Sequence, residues 1–376
     1  MIIFGIETSC DETAASIVED GAKEICSVVS SSKEFHEKTG GIVPEIAARK
    51  QVEAMTPVIA ECFEKYRDLK KYERVEDCYK DIDAVAVTVG PGLIGSLIVG
   101  VEAAKALALF LNKPLIPVNH LVGHIYGNFL TEEKDDKEEK NEKEIEFPAV
   151  VLLVSGGHTD LVLMKGHGDF EYIGGTTDDA VGEAYDKVAR LLGLSQYLGG
   201  ALLSKKAQEC KINIIKGKLP RPMIDQDNFD FSFSGLKTAT RRLIENENIP
   251  VEVVAREFED AVVDVLNKKT LRAVKNYGVK SLLLGGGVSA NQHLRETLES
   301  ECKKINVKFY APPLRLCSDN AVYIASAAYF MSIKKPHSSS KGNPGDSILG
   351  SAVGHNKQLN IDFKDIQPNP SLGIMG

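Results

Sequence analysis

The sequence predicts an α/β protein of two related lobes closed around a cleft. Three observations carry that prediction. Strand-like and helix-like stretches alternate along most of the chain. The segments "FGIETSCDETAASIVED" and "VLLVSGGHTDLVLMKG" are both strand, tight polar turn, strand, and in each the second strand follows a threonine, Thr13 and Thr159. Two such hairpins, one near the start of each half, point to an internal duplication. The chain, at 376 residues, is also long for a single hydrophobic core.

The elements follow in order. Residues 1–125 form lobe I, and a helix near 318–333 returns to complete it. The run "DIDAVAVTVGPGLIGSLIVGVEAAKALALFL" is a strand, a turn at Gly90-Pro91-Gly92 and a helix. Residues 126–317 form lobe II, which starts with an acidic insertion at 131–146. From Glu132 to Glu146 there are nine acids and four lysines without apolar periodicity, so a surface insertion is expected. "KSLLLGGGVSANQHLRETLES" repeats the strand, glycine turn and helix, with the helix starting near Ala290. Such a turn lets backbone N–H groups come close to a phosphate, though tight packing alone also explains glycine there. The stretch 335–376 is rich in Gly, Ser, Pro and Asn and reads as a flexible or loosely docked tail.

Composition excludes several classes. The net charge of -8 argues against a generic nucleic-acid binder. No apolar run approaches the roughly 20 residues of a membrane span, so no membrane partner is expected. Neither a signal nor a transit peptide is visible at "MIIFGIETSC". Seven scattered cysteines with no C-x-x-C pair suit a reduced, cytoplasmic protein. One segment runs against the overall charge. Ser204 to Pro222 carries Lys205, Lys206, Lys211, Lys216, Lys218 and Arg221 against the single acid Glu209. It is either a solvated basic face or a contact for a phosphate backbone.

Four stretches could carry chemistry. In "NHLVGH", His120 and His124 are four apart and share one face of a helix, where they could chelate one ion. Leu121 and Val122 offer no general base, which argues against a zinc protease. Asp319 in "CSDNA" is a candidate third ligand. In "TTDDAVGEAYDKVARLLGL", Asp179, Glu183, Asp186 and Arg190 line one side of an amphipathic helix. That side is either a solvated ion-paired face or one that offers a carboxylate to a sugar diol. In "NFDFSFSGLKTATRR" the alternating Phe229, Phe231 and Phe233 predict a strand, and Ser234 predicts an N-cap for the following helix.

The paired hairpins resemble those of the actin/Hsp70/sugar-kinase (ASKHA) superfold. "GIETSCDET", "GGIVPEIAAR", "VTVGPGLIGSL", "NHLVGH", "LLVSGGHT", "DDAVGEAYDKVARLLGL", "FSFSGLKTA", "LGGGVSAN" and "CSDNA" occur in this order between about Ile2 and Phe330. By these motifs the chain is identified as a member of the TsaD family, the tRNA N6-adenosine threonylcarbamoyltransferases. "ETSCDET" is similar to the bacterial and mitochondrial branch. Val122 stands where the family commonly has Glu, Ser318 where it has Thr, and "YLGGA" replaces its Pro-Gly-Gly-Pro turn.

The resemblance implies an acyltransferase. It would move a threonylcarbamoyl group from threonylcarbamoyl-AMP to N6 of the adenosine 3′ of the anticodon, in tRNAs reading ANN codons, and release AMP. It implies one divalent metal ion, Fe2+ or alternatively Zn2+, on His120, His124 and Asp319. It implies substrate binding by Leu153, Val154, Ser155, Gly156, Gly157, Asp186, Gly200 and Asn291. Asp11 and Glu12 are cleft acids that could assist catalysis, and the Lys205 to Arg221 segment would meet the tRNA. The expected partners are tRNA, a degenerate ASKHA paralogue and a small P-loop ATPase, with a homodimer as a further option. Two rivals stay open at this point, an ATPase or kinase of the same superfold and a non-catalytic scaffold.

Overall fold

The computed structural model describes residues 1–131, 145–333 and 363–375, so most of the acidic insertion and the first part of the tail lie outside the described residues. Lobe I runs β1 (Ile2–Glu7), β2 (Glu12–Glu19), β3 (Lys23–Ser31), α1 (Lys33–Thr39), α2 (Pro44–Lys70), β4 (Ala84–Gly90), α3 (Ile94–Leu111), β5 (Leu115–Asn119) and α4 (His120–Tyr126). Lobe II runs β6 (Ala149–Val154), β7 (Thr159–Gly166), β8 (Asp169–Gly175), α5 (Val181–Leu191), α6 (Gly200–Gln208), α7 (Ser234–Asn246), α8 (Val251–Tyr277), β9 (Ser281–Gly285), α9 (Gln292–Lys304) and β10 (Lys308–Tyr310). Then α10 (Val322–Ser332) returns to lobe I, where it packs on β1, β2 and α4.

Each lobe is built on one five-stranded sheet, ordered β3-β2-β1-β4-β5 and β10-β9-β6-β7-β8. In both, a central strand pairs antiparallel with its hairpin partner and parallel with a later strand. β1 takes β2 and β4, and β6 takes β7 and β9. The parallel pairs need long crossovers, and α2 and α8, at 27 residues each, lie on those connections. The duplication thus extends beyond the hairpins. β1 and β6 are buried along nearly their whole length, so they read as apolar runs and not as alternating ones. One apolar cluster joins the lobes and contains Leu121, Val122 and Ile125 of α4, Val151 and Leu153 of β6, and Tyr323 and Ile324 of α10. The histidine helix therefore sits at the lobe interface.

Three local readings need correction. Residues 229–233 form no strand, and Phe231 makes only an isolated bridge to Thr176. Phe231 and Phe233 are buried because they fill the lobe II core. Ser234 is the first residue of α7, and its side chain does not cap that helix. Asp178 does so from another segment, accepting from Phe233 N at 2.8 Å and Ser234 N at 3.3 Å. The tail's last stretch is not loose. Ile366 and Ile374 are buried, Asn369 N donates to Val89 O at 2.7 Å, and Asn119 Nδ2 donates to Gly373 O at 2.8 Å. Gly90, with φ +150°, leaves room for that stretch, since any Cβ there would collide with Asn369 O. One described helix, α3, is long and apolar enough to cross a membrane. Glu102 and Lys105 interrupt its apolar run in the sequence, and its Leu97, Val101, Ala104 and Ala108 are buried in the fold.

Candidate active site and metal centre

The histidines are placed by one sharp transition. β5 ends at Asn119, whose Oδ1 accepts from Leu121 N at 2.8 Å and Val122 N at 3.3 Å and so starts α4 at His120. One turn apart, the two imidazoles meet edge to face with centroids 4.6 Å apart. Gly123 between them is a packing requirement. A Cβ there would lie 2.7 Å from the Tyr323 ring and 2.8 Å from Ile324. Asp319 comes from the loop before α10, where Asn320 Oδ1 caps the helix by accepting from Val322 N at 3.0 Å. Asp319 Oδ1 lies 3.4 Å from His124 Nε2 and 3.6 Å from His120 Nε2.

These donors fit a metal. One atom from each residue lies within 4.8 Å of the others. Ligand lengths near 2.1 Å in tetrahedral geometry put donors about 3.4 Å apart. Two imidazoles and one carboxylate match both catalytic zinc and the facial triad of non-haem iron.

Behind this set stands a residue that the sequence reading missed. Glu7, at the end of β1 and fully buried, lies with Oε2 3.1 Å from His120 Nδ1. Its carboxylate also accepts from Thr88 Oγ1 at 2.5 Å and from Ser9 N. Glu7 accepts the Nδ1 proton of His120 alongside its other donors and so turns the opposite ring nitrogen, Nε2, towards Asp319. Burial pulls the His120 pKa down, but Asp319 and Glu7 outweigh it and raise it to about 9. His124, where burial dominates, is lowered. Burial also opposes the Asp319 charge, yet the two histidines hold its pKa well below the usual carboxylate value.

A cleft of two chambers opens from this centre. The first, about 700 Å³, is lined by Asp11, Glu12, His120, His124, Asp319 and the Ser155–His158 turn among others. The second, about 630 Å³, reaches Asp186, Gly200, Ser204 and Asn291. Both volumes lie in the range of small-molecule sites. Lys33, Gly156, Asp186, Leu198 and Gly287 line both, so the chambers are continuous.

The turn between β6 and β7 is closed by Ser155 N to His158 O at 2.9 Å and His158 N to Ser155 Oγ at 3.1 Å. Among the described residues the N–H groups of Gly156 and Gly157 have no partner. Gly182 lets α5 approach this turn, since a Cβ there would lie 2.5 Å from Ser155 O. Leu153 and Val154 are buried in β6 behind it.

Asp186 Oδ1 accepts from Gly200 N at 2.8 Å, and burial raises its pKa. Asn291 is a hub. Its Oδ1 caps α9 through Leu294 N at 2.8 Å, while Nδ2 donates to Glu259 Oε1 at 2.7 Å and Ser204 Oγ at 2.9 Å. Glu259 is 1% exposed, and burial raises its pKa.

Asp11 and Glu12 lie on the cleft wall. Burial first, then Asp319 and Asp11, push Glu12 up to about 9 against the pull of Lys33, whose Nζ is 2.6 Å from Glu12 Oε1. Tyr197 of lobe II reaches Asp11 Oδ2 across the cleft at 3.5 Å.

The basic segment divides in two. Lys206 pairs with Glu209 at 2.6 Å, Lys218 with Glu247, and Arg221 with Glu257 at 2.5 Å and Asp264 at 3.0 Å. Among the described residues Lys205, Lys211 and Lys216 make no ion pair. Lys205 lines the second chamber.

The family model described as "TsaD: tRNA N6-adenosine threonylcarbamoyltransferase" matches residues 23–326. The chain is 49% identical over 333 residues to the tRNA N6-adenosine threonylcarbamoyltransferase of Bacillus subtilis (strain 168), covering 87% of this chain and 89% of that protein. It is 48% identical over 353 residues to the protein of the same name in Listeria innocua, covering 92% and 96%. Among solved structures, HypF of T. kodakarensis superposes with a TM-score of 0.56 at 14% identity, covering 87% of this chain and 47% of that one, which shows the shared fold. The chain belongs to the TsaD family of tRNA N6-adenosine threonylcarbamoyltransferases.

Proposed function

We propose that the chain carries out its family's transfer within the two-chambered cleft, with threonylcarbamoyl-AMP as the donor and the adenosine 3′ of the anticodon, in tRNAs reading ANN codons, as the acceptor. The continuity of the chambers carries this reading. A path from the His120, His124 and Asp319 set to Asn291 suits an acyl-adenylate with its acyl end in one chamber and its nucleoside in the other.

In the second chamber the Asp186 oxygen not facing Gly200 accepts from ribose hydroxyls. Gly200 acts by holding that carboxylate, because its N–H is already donated to Asp186. Both Nδ2 hydrogens of Asn291 are engaged, so its contribution on the adenine side is chiefly to fix the shape of the wall. At the junction, the N–H groups of Gly156 and Gly157, carried on the Leu153–Val154–Ser155 strand end, face the phosphate and the charge that develops on it.

The N6 amine of the acceptor attacks the carbamoyl carbon. The bond from that carbon to the phosphate oxygen breaks, AMP leaves with the electron pair, and the amine loses one proton. Asp11 and Glu12 are carboxyl groups on the same chamber wall, and Asp11 takes it, because burial and acidic neighbours already hold a proton on Glu12. A divalent ion on the two histidines and Asp319, Fe2+ in our reading with Zn2+ as the alternative, supplies Lewis acidity and a template for the acyl end when bound. Lys205, Lys211 and Lys216 offer uncommitted charge to the tRNA backbone, whereas Lys206, Lys218 and Arg221 must first leave protein acids.

The wider assembly in this reading is cytoplasmic. A separate enzyme makes the donor from threonine, bicarbonate and ATP, and a degenerate ASKHA paralogue and a small P-loop ATPase assist, with self-association as a homodimer a further option.

The test is in vitro. tRNA, donor and the chain with its partners are combined, and nucleosides are read by mass spectrometry. Modified adenosine with wild type and none with a folded His124→Ala variant supports the reading. ATP turnover without tRNA modification would favour a phosphotransfer role instead.

A further inference from the structure

We infer that Lys33 is the residue that binds the donor's phosphate, an assignment that rests on the cleft reading above. Lys33 is the first residue of α1, and it is the one basic side chain that lines both chambers. It does so beside Gly156, whose N–H is unpartnered among the described residues. The point where the chambers join is where an acyl-adenylate spanning them has its phosphate.

Three other cations of the cleft, Lys187, Arg190 and Arg295, are committed elsewhere. Lys187 is held by Asp179 at 2.9 Å and Glu183 at 2.7 Å. Arg190 donates to Gln196 O at 2.8 Å. Arg295 donates to Pro312 O at 2.6 Å and to Ser289 O. Lys205 lines only the second chamber.

Lys33 has one described partner, Glu12 Oε1 at 2.6 Å, and an ammonium has three donors. Its side chain is 41% exposed, so it can turn without breaking packing. Asp186 lines both chambers and Asp11 and Asp319 line the first, where Lys187 and Arg190 are already engaged. A phosphate there meets repulsion unless a cation faces it, and Lys33 is placed to do so.

The test compares AMP with adenosine on the purified full chain by calorimetry. Both carry the same nucleoside, so their difference isolates the phosphate. Wild type is expected to bind AMP more tightly than adenosine. Lys33→Ala should lose about tenfold in AMP affinity, the size of one charge-assisted contact at a partly exposed site, and leave adenosine unchanged. Lys33→Arg should keep the preference for AMP. If Lys33→Ala retains the wild-type preference, the assignment is overturned while the cleft reading stands. If wild type binds neither ligand, the nucleotide reading of the cleft falls, and the role of Lys33 falls with it.

Discussion

Exchanging Glu7 for glutamine removes the charge behind His120 and preserves the side-chain shape. Glu7 is fully buried and touches three groups, His120 Nδ1, Thr88 Oγ1 and Ser9 N. Glutamine keeps one acceptor oxygen, so most of this network survives. It loses the ionised partner that orients the imidazole and makes Nε2 more basic. Loss of such a supporting group costs about 10- to 100-fold in metal affinity, or about 1.4–2.7 kcal/mol. Alanine is a different perturbation. It leaves two or more buried donors without an acceptor, at about 1–3 kcal/mol each, and adds a cavity. Competition between the protein and a chromophoric chelator for Zn2+ measures the first effect, and urea unfolding measures the second. Glu7→Gln should bind zinc 10- to 100-fold more weakly with near-normal stability, and Glu7→Ala should be clearly destabilised. Wild-type zinc affinity in Glu7→Gln would refute the claim that Glu7 tunes the ligand.

Further predictions concern charge and packing. With its pKa raised to about 9, His120 in the metal-free protein is protonated at neutral pH, and binding a cation must displace that proton. Zinc affinity should therefore rise about tenfold per pH unit from pH 6 towards 9 and level off above; chelator titrations at several pH values check this, and a flat profile would contradict it. Asn291→Ala removes the cap on α9 and leaves the buried Glu259 and Ser204 without their donor, for a loss of about 2–4 kcal/mol by urea unfolding. Changing Lys205, Lys211 and Lys216 to Glu should weaken tRNA binding more, and flatten its salt dependence more, than changing Lys206 and Lys218, which already have acidic partners. Equal effects from the two sets would argue against this division.

The metal trio was legible because its parts are short motifs whose residue types match the donor chemistry. The hairpins were legible because a polar turn between two apolar strands reads locally. Glu7 was not. It is a single carboxylate at the end of an apolar strand, and only the pairing of β1 with β4 and the adjoining β5 brings it beside Thr88 and His120. Glu259 was hidden for a similar reason, since α8 is 27 residues long and nothing local distinguishes the acid that holds Asn291 from the others on that helix. The cap on α7 was misassigned because Ser234 has the right local signal, while Asp178 arrives from 56 residues away. The tail misled through composition. Its Gly, Pro and Asn are what a segment needs to lie against the Gly90–Gly92 turn, and its two buried isoleucines are too few to form a pattern. Charge counting likewise cannot tell a free lysine from a paired one, and half of the basic segment is paired.

In the proposed reading, one cleft joins a His–His–Asp centre to a nucleoside site and transfers an acyl group to tRNA. The most direct test is mass spectrometry of tRNA nucleosides from cells depleted of this protein and complemented with wild type or Asp319→Ala. Threonylcarbamoyladenosine should disappear on depletion, return with wild type and stay absent with a folded, normally abundant Asp319→Ala protein. Full modification with Asp319→Ala, or undiminished modification in the depleted cells, would contradict it.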